Sequence, residues 1–327
     1  MRVAVLDDYH QVFDADPAVE RLRRRAVVEV FTEKVPVDRL RGYAALIALR
    51  ERTRFDEAFF EALPDLELIA QTGNHAYHLD LEAATRAGVL VGLGSSDMEA
   101  MGAIAASTVE LTFGLMLACT RRIPQADRAM RAGEWPSPLG HTLRGKRLGI
   151  VGLGRMGREV ARIAGAFGME LLAWGPTSTP ERAAASGAVF MELDALLEAA
   201  DVVSIHLKLS DQSRGLFDEA RLRRMGPRTV LVNTARGAIV DEVALARVLG
   251  EGALGAAGLA VFVEEPLPVD SPLRRLDNVV LTPHLGWPAD LTYRTMAEAV
   301  VRIVESYLDG TFTRALNPDA VKNRAPR

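Results

Sequence analysis

Six residues, Gly152-Leu153-Gly154-Arg155-Met156-Gly157, constrain the fold of this chain more than any others. They follow an apolar run, RLGIV, and precede REVARIAGAF, which has the periodicity of an amphipathic helix. A G-x-G-x-x-G turn between a strand and a helix is the phosphate turn of a dinucleotide-binding βαβ unit. Gly152 permits the tight turn, Gly154 lets the backbone approach a pyrophosphate, and Gly157 allows close packing of helix on sheet. The helix start then offers N–H groups and a positive dipole end to the phosphates. Arg155 can add a cation, and Met156 lies in the same turn.

The turn is internal, so other structure must precede it. Short apolar, β-rich runs occur at Val3–Leu6, Ala45–Leu49, Leu68–Gln71, Arg147–Val151, Glu170–Trp174, Val202–His206, Thr229–Asn233, Gly255–Val261 and Val279–Thr282. Helical patterns separate most of them, as at Arg158–Phe167, Leu193–Ala199 and Glu242–Leu249. This alternation predicts an α/β chain of doubly wound parallel sheets, whose strands are apolar because both faces are covered. A helix-rich stretch, 99–145, leads into the glycine turn. After His284 the chain is mostly one helix, Leu291–Leu308, too short to form a domain alone. The economical expectation is that this tail returns to the N-terminal unit. That gives one domain from 1–98 plus 285–327 and a dinucleotide-binding domain over 99–284.

The bulk properties exclude several classes. The 39 Lys and Arg against 43 Asp and Glu give a net charge of −4 with the signs mixed. There is no electrostatic case for nucleic acid or an anionic membrane. A hydrophobic fraction of 49% suffices for a sizeable core. The single cysteine, Cys119, excludes a disulfide framework and a cysteine metal site, and fits a reducing compartment. His10, His78 and His141 are too scattered to suggest a metal site. The N-terminus begins as a strand, MRVAVLDD, without the pattern of a secretory signal. The most apolar stretch, Ala103 to Thr120, carries Glu110 in mid-span, which predicts a buried helix rather than a membrane span. A cytoplasmic protein is expected.

Three groups in the last third suit carbonyl reduction: Arg236 in NTARG, Glu265 in EEPLP and His284 in TPHLG. Arginine can clamp a carboxylate and polarise a C=O. Histidine can give or take a proton near neutral pH, and a carboxylate can orient it. Arg236 and His284 each follow a predicted strand, where α/β active sites gather. One check departs from the dinucleotide pattern. Gly175 stands where an acid that bonds the adenosine ribose is expected, at the end of the second strand. Thr177, Ser178, Thr179 and Arg182 could hydrogen-bond a 2′-phosphate, so the cofactor is open between NAD and NADP.

Taken together, these residues resemble the D-isomer-specific 2-hydroxyacid dehydrogenase family. The resemblance is carried by LRGKRLGIVGLGRMGREVARIAGAFGM, ADVVSIHL, MGPRTVLVNTARGAIVDEVAL, EEPLPVDSPLRRLDNVVLTPHLG and the earlier GEW. It implies a Rossmann nucleotide-binding domain inserted into a flavodoxin-like substrate domain. It maps the family's catalytic trio onto Arg236, Glu265 and His284, and its cofactor turn onto Gly152 to Gly157. Cofactor contacts are expected from Gly175, Thr177, Ser178, His206, Thr234 and Ala235. The family's substrate-carboxylate loop of backbone N–H donors corresponds to Gly73-Asn74-His75. His75 and Trp287 are further substrate-pocket candidates, and Arg50 and Arg52 could face an anionic substrate. The implied reaction interconverts a 2-keto acid and a D-2-hydroxy acid with NAD or NADP, His284 serving as acid and base. The segment 99–145, with Trp135, implies a homodimer.

The chain departs from the family pattern at four places. His75 replaces the second glycine of the substrate loop. Ala260 replaces an aspartate, Lys208 a proline, and Gly175 the ribose acid. None of these touches the trio. Two other readings fit the same fold: formate-type oxidation, and a nucleotide-sensing interaction protein in which a dehydrogenase fold serves only to bind.

Overall fold

The computed structural model describes residues 1–73, 75–94, 98–135 and 139–323, without the side chains of 98–101. The chain divides into two compact units, Met1–Ile104 with Pro288–Arg327, and Ala105–Trp287.

The first unit is built on β1 (Arg2–Leu6), α1 (Pro17–Arg23), β2 (Val27–Val30), β3 (Ala45–Ala48), α2 (Glu57–Ala62), β4 (Leu68–Gln71), α3 (Leu81–Arg86) and β5 (Leu90–Leu93). Its five strands are parallel in the order β2-β1-β3-β4-β5. This is the flavodoxin-like order. Aspartates start the helices: Asp16, Asp56 and Asp80 accept from Ala18, Phe59 and Ala83 N–H groups and satisfy first-turn donors. One sheet face packs on Phe55, Phe59, Phe60, Leu63 and Leu66. The C-terminal helix, Asp290–Leu308, packs on β4 and β5 with a buried stripe of Met296, Ala297, Val300, Val301 and Val304. Each buried Val or Met of this stripe contributes roughly 1.5–3 kcal/mol on burial.

The tail beyond that helix covers the edge strand β5. Ala315 forms an antiparallel bridge to Gly92, where an added Cβ would meet Phe312 at 2.8 Å. Asn317, 6% exposed, takes the Val91 N–H at 2.9 Å and donates to Val89 O at 2.8 Å and Thr85 Oγ1 at 3.1 Å. Asn317→Ala strands buried backbone groups on that edge and should destabilise the protein by about 1–3 kcal/mol. A thermal melt checks this, and an unchanged midpoint would refute it.

The second unit begins within α4 (Met98–Arg121), followed by α5 (Ile123–Arg131), β6 (Arg147–Val151), α6 (Arg155–Ala166), β7 (Glu170–Trp174), α7 (Pro180–Ala184), β8 (Val189–Phe190), α8 (Leu193–Ala199), β9 (Val202–Ile205), α9 (Glu219–Met225), β10 (Val230–Asn233), α10 (Glu242–Gly250), β11 (Ala256–Leu259) and β12 (Val279–Leu281). Seven parallel strands lie in the order β12-β11-β10-β9-β6-β7-β8. The order reverses between β6 and β9, where open α/β sheets bind ligands at the carboxyl edge. One core joins Leu196, Leu197, Phe217, Leu231 and Leu245, and another joins Phe113, Met116, Ile150, Val160 and Val232.

The units divide between Ile104 and Ala105, within α4, and between Trp287 and Pro288, against the expected 98/99 and 284/285. The burial of α4 is uneven along its faces. Over Gly102–Arg121 it is long and apolar enough to cross a membrane by length and composition, and more than half of that stretch is buried. Leu115 and Cys119 pack on Gly258 of β11, whereas Glu110 and Gly114 are exposed. Burial pushes the Cys119 thiol up to about 12, so it stays protonated as a small core residue.

Candidate active site

Arg236, Glu265 and His284 follow β10, β11 and β12, three adjacent parallel strands, so all three occupy the carboxyl edge of one sheet. His284 Nδ1 lies 2.7 Å from Glu265 Oε2. The second carboxylate oxygen, Oε1, takes the Phe262 N–H at 3.0 Å, which fixes the carboxylate from behind. His284 is one of few non-glycine residues with positive φ, +52°. That left-handed turn, closed by its N–H on Thr282 O at 3.0 Å, aims the imidazole at Glu265. The pair is partly solvated, with side chains 40% and 36% exposed.

Arg236 is exposed on a turn organised by Asn233. The Asn233 amide donates to Arg236 O and accepts from the Ala235 N–H, both at 3.0 Å. Arg236 Nη1 donates to Ala235 O at 2.7 Å. Gly237 then passes against the loop that carries Glu265: a Cβ there would stand 2.0 Å from the Phe262 carbonyl carbon. The glycine after the arginine is therefore needed to bring these two backbones together. Glu242 holds the same loop by accepting the Val263 N–H at 3.0 Å.

The glycine turn lies at the end of β6, beside the strand-order reversal. Gly152 has φ +107°, and its Cβ would meet the His206 carbonyl at 2.8 Å. At Gly157 a Cβ would stand 2.0 Å from Gly152 O. Gly154 is different, since a Cβ there would point into open space. As the N-cap of α6 it provides no side-chain cap, so first-turn N–H groups remain for a ligand. This cradle fits a dinucleotide pyrophosphate, with Arg155 exposed at the first helical position and Met156 half-buried beside it.

The other expected cofactor residues are spread along the same edge. Gly175 follows β7 and abuts the glycine turn, with its Cβ position 3.5 Å from Gly152 Cα. Thr177 is exposed and Ser178 half-buried in the next turn. The Thr234 hydroxyl is 2.9 Å from the Thr112 hydroxyl, within the unit's packing, and the adjoining Ala235 is half-buried. His206 follows β9, and its backbone abuts Gly152. Its Nε2 lies 2.9 Å from Ser204 Oγ. Although part of its surface is accessible, desolvation pushes its pKa down to about 4, so the ring is neutral near pH 7. Of the family departures in this unit, Ala260 is buried with its N–H on Asn233 O, and Lys208 is exposed.

The substrate-loop residues fall in the first unit, except Trp287, which lies half-buried three residues after His284 in the second. Gly73 has φ +107°, and Arg50 Nη1 is 3.1 Å from where its Cβ would be. Arg52 lies over the Tyr9 ring at 4.7 Å and donates to Asp7 O at 2.5 Å. Asn74 lies outside the described residues. The His75 Nε2 is 3.1 Å from Glu51 Oε1, and its ring stacks on Tyr77 with centroids 4.4 Å apart. Asn233, the Phe262 N–H, Ser204 and Glu51 were not among the expected site residues. Asn233 alone had a local signal, an Asx side chain at a strand end before a turn.

Residues 113–286 match the family described as D-isomer specific 2-hydroxyacid dehydrogenase, NAD binding domain. A glyoxylate reductase of Korarchaeum cryptofilum is 36% identical over 302 residues, which cover 90% of this chain and 89% of that one. A D-3-phosphoglycerate dehydrogenase of Archaeoglobus fulgidus is 36% identical over 278 residues, covering 83% of this chain and only 51% of that longer protein. The crystal structure of a phosphoglycerate oxidoreductase from Vibrio cholerae superposes with a TM-score of 0.81 at 33% identity, covering 95% of this chain and 99% of that one. The chain belongs to the D-isomer-specific 2-hydroxyacid dehydrogenase family. It is an oxidoreductase that uses a nicotinamide dinucleotide.

Proposed function

We propose that the protein reduces a small 2-keto acid to the D-2-hydroxy acid, reversibly, through Arg236, Glu265 and His284. The 2.7 Å bond between His284 and Glu265 carries this reading. It occupies Nδ1 as a donor and leaves Nε2 to exchange a proton with the substrate. In reduction, protonated His284 gives that proton to the oxygen on C2. In oxidation, the same nitrogen takes it back. Glu265 orients the ring through this bond. Arg236 binds the substrate carboxylate and polarises the ketone. When bound, the nicotinamide supplies or accepts the hydride at C2. Gly152, Gly154, Arg155, Met156 and Gly157 would hold its pyrophosphate, with Gly175, Thr177, Ser178, His206, Thr234 and Ala235 along the rest of the dinucleotide. Gly73, Asn74, His75 and Trp287 are the further substrate-binding candidates that the family resemblance implies.

The test follows absorbance at 340 nm with NADH and NADPH over a panel of glyoxylate, hydroxypyruvate, pyruvate and bulkier keto acids. Turnover of at least one is expected. Dinucleotide binding without turnover anywhere on the panel would support a binding module instead.

The protein is further proposed to act as a cytoplasmic homodimer. None of the residues of α5 is buried, and Ile123, Met130, Trp135 and Leu139 are exposed, the last two at 87% and 86%. Apolar exposure of this kind marks an interface. Light scattering at micromolar concentration should give twice the chain mass, and a monomer would contradict the assignment.

A further inference from the structure

We infer that this chain selects NADP(H) over NAD(H), and that the turn after β7, together with Arg182, receives the 2′-phosphate. The inference rests on the dinucleotide site described above. In a Rossmann unit the residue that ends the second strand faces the adenosine ribose. An acid there bonds the 2′-hydroxyl and repels a phosphate, whereas a nearby arginine accommodates one.

Gly175 occupies that place, against the glycine turn, and brings no carboxylate. The turn folds back through the Ser178 N–H on Gly175 O at 3.0 Å. Ser178 Oγ then lies 2.8 Å from the Cβ position of Gly175, so a hydroxyl stands where an acidic side chain would begin. Arg182 is exposed, and its side chain lies back along the turn. Its Nη1 donates to Thr177 O at 2.5 Å, which folds the guanidinium over the same turn. Its backbone N–H is held by Thr179 Oγ1 at 3.3 Å. The Gly175–Arg182 segment thus presents a serine hydroxyl, a threonine hydroxyl and a planar cation whose remaining donors suit a phosphate.

The one acid in the segment is Glu181. Its carboxylate is exposed and hydrogen-bonded to the Thr179 hydroxyl, which holds its pKa below the usual range. Arg155 and Arg158, in the first turn of α6, add positive charge at the end of the neighbouring strand.

Isothermal titration of the purified protein with NADP⁺, NAD⁺ and 2′,5′-ADP tests this without reference to turnover. NADP⁺ should bind at least about tenfold tighter than NAD⁺, consistent with a charge-assisted phosphate contact. Arg182→Ala should weaken NADP⁺ and 2′,5′-ADP by a similar factor and leave NAD⁺ unchanged. Gly175→Asp should reverse the preference. Its new Cβ meets first the rotatable Ser178 hydroxyl, so a wild-type melting temperature is expected. NAD⁺ binding as tight as NADP⁺, or an equal loss of both in Arg182→Ala, would overturn the assignment while leaving the dinucleotide site intact. Binding of neither cofactor would remove that site as well.

Discussion

His284→Asn is expected to lower kcat for keto-acid reduction by ~10²–10⁴-fold, the range for loss of a positioned acid. Dinucleotide affinity and melting temperature should stay near wild type. Asparagine is chosen because His284 has φ +52°, a conformation asparagine tolerates better than alanine. The substitution therefore removes the proton without disturbing the turn. The imidazole projects from a partly solvated edge and contributes to no core cluster, so its loss should be a chemical one. Steady-state kinetics would decide: turnover near wild type would remove His284 from the mechanism.

Gly157→Ala should have the largest effect on cofactor binding. The added methyl would lie 2.0 Å from Gly152 O and 3.1 Å from the Gly152 carbonyl carbon. Both are backbone atoms of the phosphate turn, so no side chain can rotate aside. Either α6 moves away from β6 or the turn opens. Overpacking of this kind costs about 1–3 kcal/mol or more, and the melting temperature should fall with the dinucleotide affinity. Gly154→Ala provides the contrast. Its Cβ faces open space, so the fold should be unaffected while approach of the pyrophosphate is blocked. Equal melting temperatures for Gly157→Ala and wild type would contradict the packing argument.

Much of this architecture was legible because its elements obey local rules. The helix Leu193–Ala199 has the bounds its apolar spacing predicts, and β4, β6 and β7 match their apolar runs. Three strands escaped detection for physical reasons. β2 is an edge strand, VVEV, with alternating exposure and no continuous apolar run. β5 contains Gly92, which reads as a breaker yet is required by the close approach of Phe312 and Ile303. β8 is only two residues long. The exposed flank of α4 was invisible for a different reason, since small and apolar residues occupy both of its faces.

At the site, the order of Arg236, Glu265 and His284 could be read directly, because each sits in a motif beside a strand end. Their supports could not. The Phe262 N–H behind Glu265 depends on how a loop folds on itself. The closeness of Gly237 to that loop depends on the pairing of β10 with β11. His75 was legible only as a departure, and its partner Glu51 comes from a separate loop. Sequence periodicity reports which face of an element is buried, not which loops meet.

The central claim is hydride transfer to C2 with proton delivery by His284. Reduction of an accepted keto acid with cofactor dideuterated at nicotinamide C4, followed by NMR and chiral chromatography of the product, tests it most directly. The account predicts a D-2-hydroxy acid with one deuterium on C2. A product without deuterium at C2, or of the opposite configuration, would contradict it.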